Sequence, residues 1–164
     1  MKKKGGYLLL IIMCFLISIG IGINLYLISS DDSLDNEIEI KSDGVTQETL
    51  SITNLTLIPS ESKKCEIGLS CKMAGSYIIR LKYDEKEDGG LKEFVDVTIS
   101  INDSILYEGG LSNLLAGELL EFETYLSNDE KALMVISYHM PIEIGNEAKN
   151  TYSSFIIDLT ISTQ

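Results

Sequence analysis

The chain has 164 residues, 45% of them hydrophobic, with 25 acidic side chains against 13 basic ones. That length holds one domain with a core of its own plus a targeting segment. All the acidic residues follow an opening apolar stretch and three of the basic ones precede it. The remainder is strongly anionic, which argues against nucleic acid and against tight binding to anionic lipid.

The opening, "MKKKGGYLLLIIMCFLISIGIGINLYLISSDD", runs from lysines to an apolar stretch to an acidic polar segment. This is the order of an export signal or a membrane anchor. Tyr7 to Ile28 gives 22 residues without a charge. At about 1.5 Å each they reach roughly 33 Å, enough to cross a hydrocarbon core of about 30 Å. Lys2, Lys3 and Lys4 hold the N-terminus in the cytoplasm and place the rest outside. The first alanine is Ala74 and Met13 precedes Cys14, so neither an Ala-x-Ala site nor a good lipoprotein site is present. An uncleaved anchor over residues 1–28 is the primary expectation, with a cleaved signal peptide, and hence a signal peptidase as partner, as the alternative.

Residues 29–46 are polar and acidic and read as a tether, with one alternating piece at "NEIEIK" that holds Ile38 and Ile40. From 47 to 164 the pattern turns to period two. "TLSITNLTLI", "GSYIIRLKY", "EFVDVTISI" and "SSFIIDLTIS" each place apolar residues on one face and polar ones on the other. "LLEFETYL" and "KALMVISYHM" do so with more noise. Such alternation, rich in β-branched residues, predicts half-buried strands. Turn chemistry falls at "DEKEDGG", "IND", "EGG" and "SNDE", and a short helix is expected near Leu111 to Ala116. The expected fold is an all-β, antiparallel, jelly-roll-like sandwich of about seven to nine strands behind an N-terminal apolar helix.

Cys65 and Cys71 lie close together in "CEIGLSC". In an oxidising compartment such a pair reads first as a disulfide closing a small loop, with two reduced thiols as the alternative. Zinc would need two more ligands, and the single histidine, His139, does not supply them. No H-E-x-x-H, no Gly-rich phosphate loop and no G-x-S-x-G elbow occurs. The acidic clusters "DDSLDNE" and "DEKEDGG" lack calcium-loop spacing and read as solvated segments. "NLT" at Asn54 and "NDS" at Asn102 match the short glycosylation tripeptide. No catalytic residue, metal or cofactor is expected from these patterns.

"ISYHMP" followed by "GNEAKNTYSSFIIDLTISTQ" resembles the C-terminal signature of the TasA/camelysin family, exported β-sandwich proteins of Gram-positive bacteria. "ITNLTLIPSES", "KMAGSYIIRLKY" and "LKEFVDVTISINDSILYEGGLSNL" resemble the family's opening strand and turn, its next strand and its central hairpin, in the same order. The likeness covers roughly 49–164. Two departures stand out: "NLYLISS" where the family's signal has alanine near an aromatic, and "PSES" where it has a Pro-Gly-Asp turn. The resemblance implies a structural protein at the cell surface or in a biofilm matrix, partnered with itself or with related matrix subunits. It also implies assembly by strand addition, with "DNEIEIKS" donating a strand through Ile38 and Ile40. A monomeric, membrane-tethered ligand-binding ectodomain is the competing reading. Camelysin-like proteins have also been classed as metallopeptidases, but the residues for that chemistry are missing here, so no enzyme is expected.

Overall fold

Strands with one apolar face hide it only against another such face, so period-two patterning dictates two packed sheets. The computed structural model describes residues 34–40, 45–129 and 131–164, and the expected membrane stretch lies outside them. Among the described residues no helix is long and apolar enough to cross a membrane. The described residues form nine strands: β1 (Leu34–Ile40), β2 (Val45–Leu55), β3 (Ser62–Cys71), β4 (Gly75–Asp88), β5 (Asp96–Ile101), β6 (Ser104–Gly110), β7 (Leu119–Leu126), β8 (Lys131–His139) and β9 (Ser153–Thr163). A short helix, α1 (Leu111–Leu115), joins β6 to β7.

One sheet has the order β1-β3-β8-β5-β6 and the other β2-β9-β4-β7. From β2 onward the chain alternates between sheets except at the β5–β6 hairpin, which is the winding of a jelly roll. The antiparallel expectation holds for every pair but one, since β1 runs parallel to β3. That pairing is open to β1 because β2, lying in the other sheet, separates it from β3 along the chain.

The inward faces are the ones the alternation marks. Tyr77, Ile79, Leu81 and Tyr83 of β4 are buried, as are Val97, Ile99 and Ile101 of β5 and Phe155, Ile157, Leu159 and Ile161 of β9. Phe155 sits 5.7 Å from Tyr83 beside it and 5.7 Å from Tyr138 of the opposite sheet, ring centroid to centroid. Tilted aromatic contacts at this distance add to the area they bury. The Tyr83 and Tyr138 hydroxyls lie near one another without full hydrogen-bond geometry to any partner. Burial pushes both phenols well above their ordinary range.

The turns follow their residues. Asn102 (φ 47°) and Asp103 (φ 64°) form the two-residue loop between β5 and β6, the left-handed pair that a tight hairpin needs. Asn102 also extends the pairing of β5 with β8: its backbone N–H donates to the Leu133 carbonyl, and its Oδ1 accepts from the Leu133 N–H, both at 2.9 Å. Two expected turns are corrected. "DEKEDGG" is mostly the end of β4, because Asp84, Glu85, Glu87 and Asp88 pair with Ile156, Phe155, Ser154 and Ser153 of β9, and Lys92 bonds Glu85 and Asp88 at 2.8 Å each. Only its glycines turn. At Gly89 an added Cβ would stand 2.6 Å from the Tyr152 carbonyl, and Gly90 has φ +83°. "EGG" at 108–110 is the end of β6.

The aromatic contact that joins the sheets sets a stability prediction. Phe155→Ala is expected to cost about 3–5 kcal/mol in denaturant unfolding. Tyr138→Phe, which removes only an unpartnered hydroxyl, is expected to stay within about 1 kcal/mol of wild type.

Candidate functional site

An edge strand offers unpaired backbone groups to any partner, so the edges are the first places to look in a protein with no catalytic signature. β1 lies in the stretch expected to be a tether or a donor strand, and it forms the outer strand of its sheet. Its register on β3 pairs Leu34 with Cys65, Ile38 with Leu69 and Ile40 with Cys71. Ile38 and Ile40 are buried in the core of their own chain, and Glu39 between them faces outward. The alternation read in "NEIEIK" is therefore realised in cis. Fully burying two isoleucines contributes about 1.5–3 kcal/mol each. The ion pair of Glu39 with Lys72, at 2.7 Å with both side chains mostly exposed, adds little.

The disulfide expected between Cys65 and Cys71 is corrected. Both are free thiols, and both lie on β3, which runs unbroken through them. Six residues of strand separate them by about 20 Å, against about 5.5–6 Å between the Cα atoms of a disulfide. They occupy the apolar alternation Cys65, Ile67, Leu69, Cys71, all buried, and act there as small hydrophobes. Burial, and then the neighbouring Glu66 charge, push the Cys65 thiol up to about 11. Cys71 donates to the Ser127 carbonyl at 3.3 Å. Both thiols are buried away from solvent, where a cysteine is a poor nucleophile.

His139 ends β8 on the outer face. Its Nδ1 meets the Ser62 hydroxyl at 2.9 Å, and Asp96 is its cross-strand neighbour. The order Ser62, His139, Asp96 evokes a hydrolytic triad, but all three side chains are exposed on a sheet surface. Nothing there excludes water or presents oxyanion donors. Among the described residues no three His, Cys, Asp or Glu side chains group as metal ligands.

The outer face of the β2-β9-β4-β7 sheet carries a polar feature that linear reading missed. Its rungs run Gln47, Thr160, Arg80, Glu121 and then Thr49, Asp158, Lys82, Leu119, each set aligned across four strands. Arg80 Nε donates to Glu121 Oε2 at 2.7 Å, and Thr49 Oγ1 donates to Asp158 Oδ1 at 3.0 Å. A hollow of about 400 Å³ lies over these rungs. A second, of about 360 Å³, lies beyond Ile156 over Ser51, Thr53, Lys86 and Ser154. These residues are scattered from 47 to 160 in the chain and only the sheet register brings them together.

Two outcomes are expected for the thiols. A thiol-alkylating reagent should leave Cys65 and Cys71 unmodified in native protein and modify both in denaturant, as read by peptide mass mapping. A Cys65–Cys71 disulfide would leave both unmodified in each condition. Because folding raises the Cys65 value above its unfolded value of about 9, its protonated form contributes stability below about pH 9. That contribution is lost as pH rises towards 11. Unfolding free energy should therefore fall over this window, and Cys65→Val should flatten part of the fall.

No family model matches the chain. Solved structures similar to it include a family 35 carbohydrate-binding module from Clostridium thermocellum, with 9% identity and a TM-score of 0.43, covering 73% of this chain and 92% of that one. Another is the pre-peptidase C-terminal domain of a Bacillus anthracis collagenase, with 9% identity and a TM-score of 0.40, covering 82% and 100%. A third is the Cry4Aa toxin of Bacillus thuringiensis, with 13% identity and a TM-score of 0.41, covering 79% and 25%. Values this low leave function to be argued from this chain's own residues.

Proposed function

We propose that this chain is an exported, non-enzymatic β-sandwich protein that builds a cell-surface or matrix assembly with copies of itself or related subunits, as the TasA/camelysin resemblance implies. In this reading residues 7–28 direct export and hold the chain in the membrane until any cleavage, and assembly proceeds by strand addition. The observation that carries it is the seat of β1. A strand bound to one neighbour fills an inward groove beside β3 with Ile38 and Ile40. The equivalent strand of a second copy carries the same side chains in the same register. Exchange would then remake the contacts it breaks, which is the low-cost route of domain swapping. Cleavage before β1 favours exchange, because a strand still tied to the membrane reaches only neighbours on the same surface.

The test compares wild-type protein with an Ile38→Asp, Ile40→Asp variant over a concentration series, by light scattering and electron microscopy. Concentration-dependent filaments are expected from wild type and not from the variant, and a peptide spanning Asp35 to Ser42 should shorten them. Equal polymerisation of both would remove the strand-addition claim. A wild-type protein that stays monomeric at every concentration would leave the binding-ectodomain reading in its place.

A further inference from the structure

The two hollows on the outer face of the β2-β9-β4-β7 sheet have a chemistry that selects among ligands. The first lies over Arg80, Lys82 and Asp158, and Glu121, bonded to Arg80, stands beside them on the same rung, so two cations meet two carboxylates in a chain where acidic residues outnumber basic ones 25 to 13. A polyanion would meet those carboxylates, and a simple cation would meet the ammonium and guanidinium groups. Neither gains from a lining whose charges cancel. A carboxylate only accepts hydrogen bonds, and lysine and arginine only donate them. The group that satisfies both together is a hydroxyl, which donates to one neighbour and accepts from the other. Vicinal hydroxyls do this along a row, and Gln47, Thr49 and Thr160 at the same rungs add neutral partners of both kinds.

Two further features bear on the ligand. Asp158 is already bonded to Thr49 and Arg80 to Glu121, so little ordering is needed when a ligand arrives. The second hollow repeats the composition with Ser51, Thr53, Asn54, Lys86, Glu87 and Ser154. Asp158 in the first hollow and Ser154 in the second are four residues apart on β9, about 13 Å. That separation suits successive units of one chain rather than a single small molecule.

We propose that this sheet face is a binding site for a neutral polysaccharide, whose hydroxyls bridge Lys82 and Asp158 in the first hollow and whose chain continues into the second. The site is separate from the β1 edge and does not depend on assembly.

The test is affinity electrophoresis of the full chain, in a sugar-free zwitterionic detergent, through native gels containing dextran, a mixed-linkage β-glucan, galactomannan or the acidic polygalacturonate. Retardation by at least one neutral polysaccharide is expected. Loss of charge-assisted hydrogen bonds in Lys82→Ala or Asp158→Ala should weaken it about tenfold. Both side chains are exposed, so wild-type thermal unfolding of the variants checks that the fold is intact. Lys64→Ala, on the other sheet, should bind as wild type does, and so should Ile38→Asp, Ile40→Asp, which separates this site from the assembly edge. No retardation by any neutral polysaccharide would overturn the proposal. So would retardation by polygalacturonate alone, or retardation that Lys82→Ala and Asp158→Ala leave unchanged.

Discussion

Phe155 touches Tyr83 within its own sheet and Tyr138 across the sandwich, and the closure of the molecule depends on this contact. It sits at the start of β9, the last strand in the chain, which lies between β2 and β4. Until β9 arrives, β2 has no partner in its sheet and Tyr83 of β4 lacks the Phe155 ring. The hydrogen bond from Thr49 to Asp158 spans 109 residues of sequence. Folding must close that long loop before the contact rewards it, so the topology is one of slow, late consolidation. The two tyrosine hydroxyls at the centre are a cost accepted for shape: rings of this size fill the space between the sheets, with polar ends that no neighbour satisfies.

Most of the sandwich was legible because its strands obey one rule. Tyr77, Ile79, Leu81 and Tyr83, or Phe155, Ile157, Leu159 and Ile161, can be read as one face without further knowledge, and they are that face. β7 runs over the residues of "LLEFETYL" that the alternation marked. β3 was hidden by the cysteines. Their spacing and an oxidising destination suggested a looped disulfide, whereas Cys65, Ile67, Leu69 and Cys71 alternate as strictly as any other strand. Gly68 between them, with no side chain, further blurred the pattern. The end of β4 was hidden for the opposite reason. Past Tyr83 it carries charges on both faces, and what keeps it extended is its pairing with β9, a distant strand whose register no local pattern reveals.

The candidate sites divide along the same line. Ile38 and Ile40 were readable as a strand face, because alternation is local. Which chain they complete was not readable, because that depends on where β3 runs. The rungs across β2, β9, β4 and β7 were beyond reach altogether. Gln47, Arg80, Glu121 and Thr160 become neighbours only through three registers set by strands far apart in sequence, and each residue alone reads as ordinary solvated surface.

The placement of β1 also has a mechanical side. Among the described elements, β1 is the first that a pull from the N-terminal side reaches. β1 and β2 are both edge strands with one neighbour each, but β1 pairs with β3 over seven residues whereas β2 spans eleven against β9. The shorter of these two edge strands therefore stands ahead of the longer. Under load the seven residues of β1, already extended, would swing away from β3 as a sacrificial link, while the eight-stranded roll behind it stays shut.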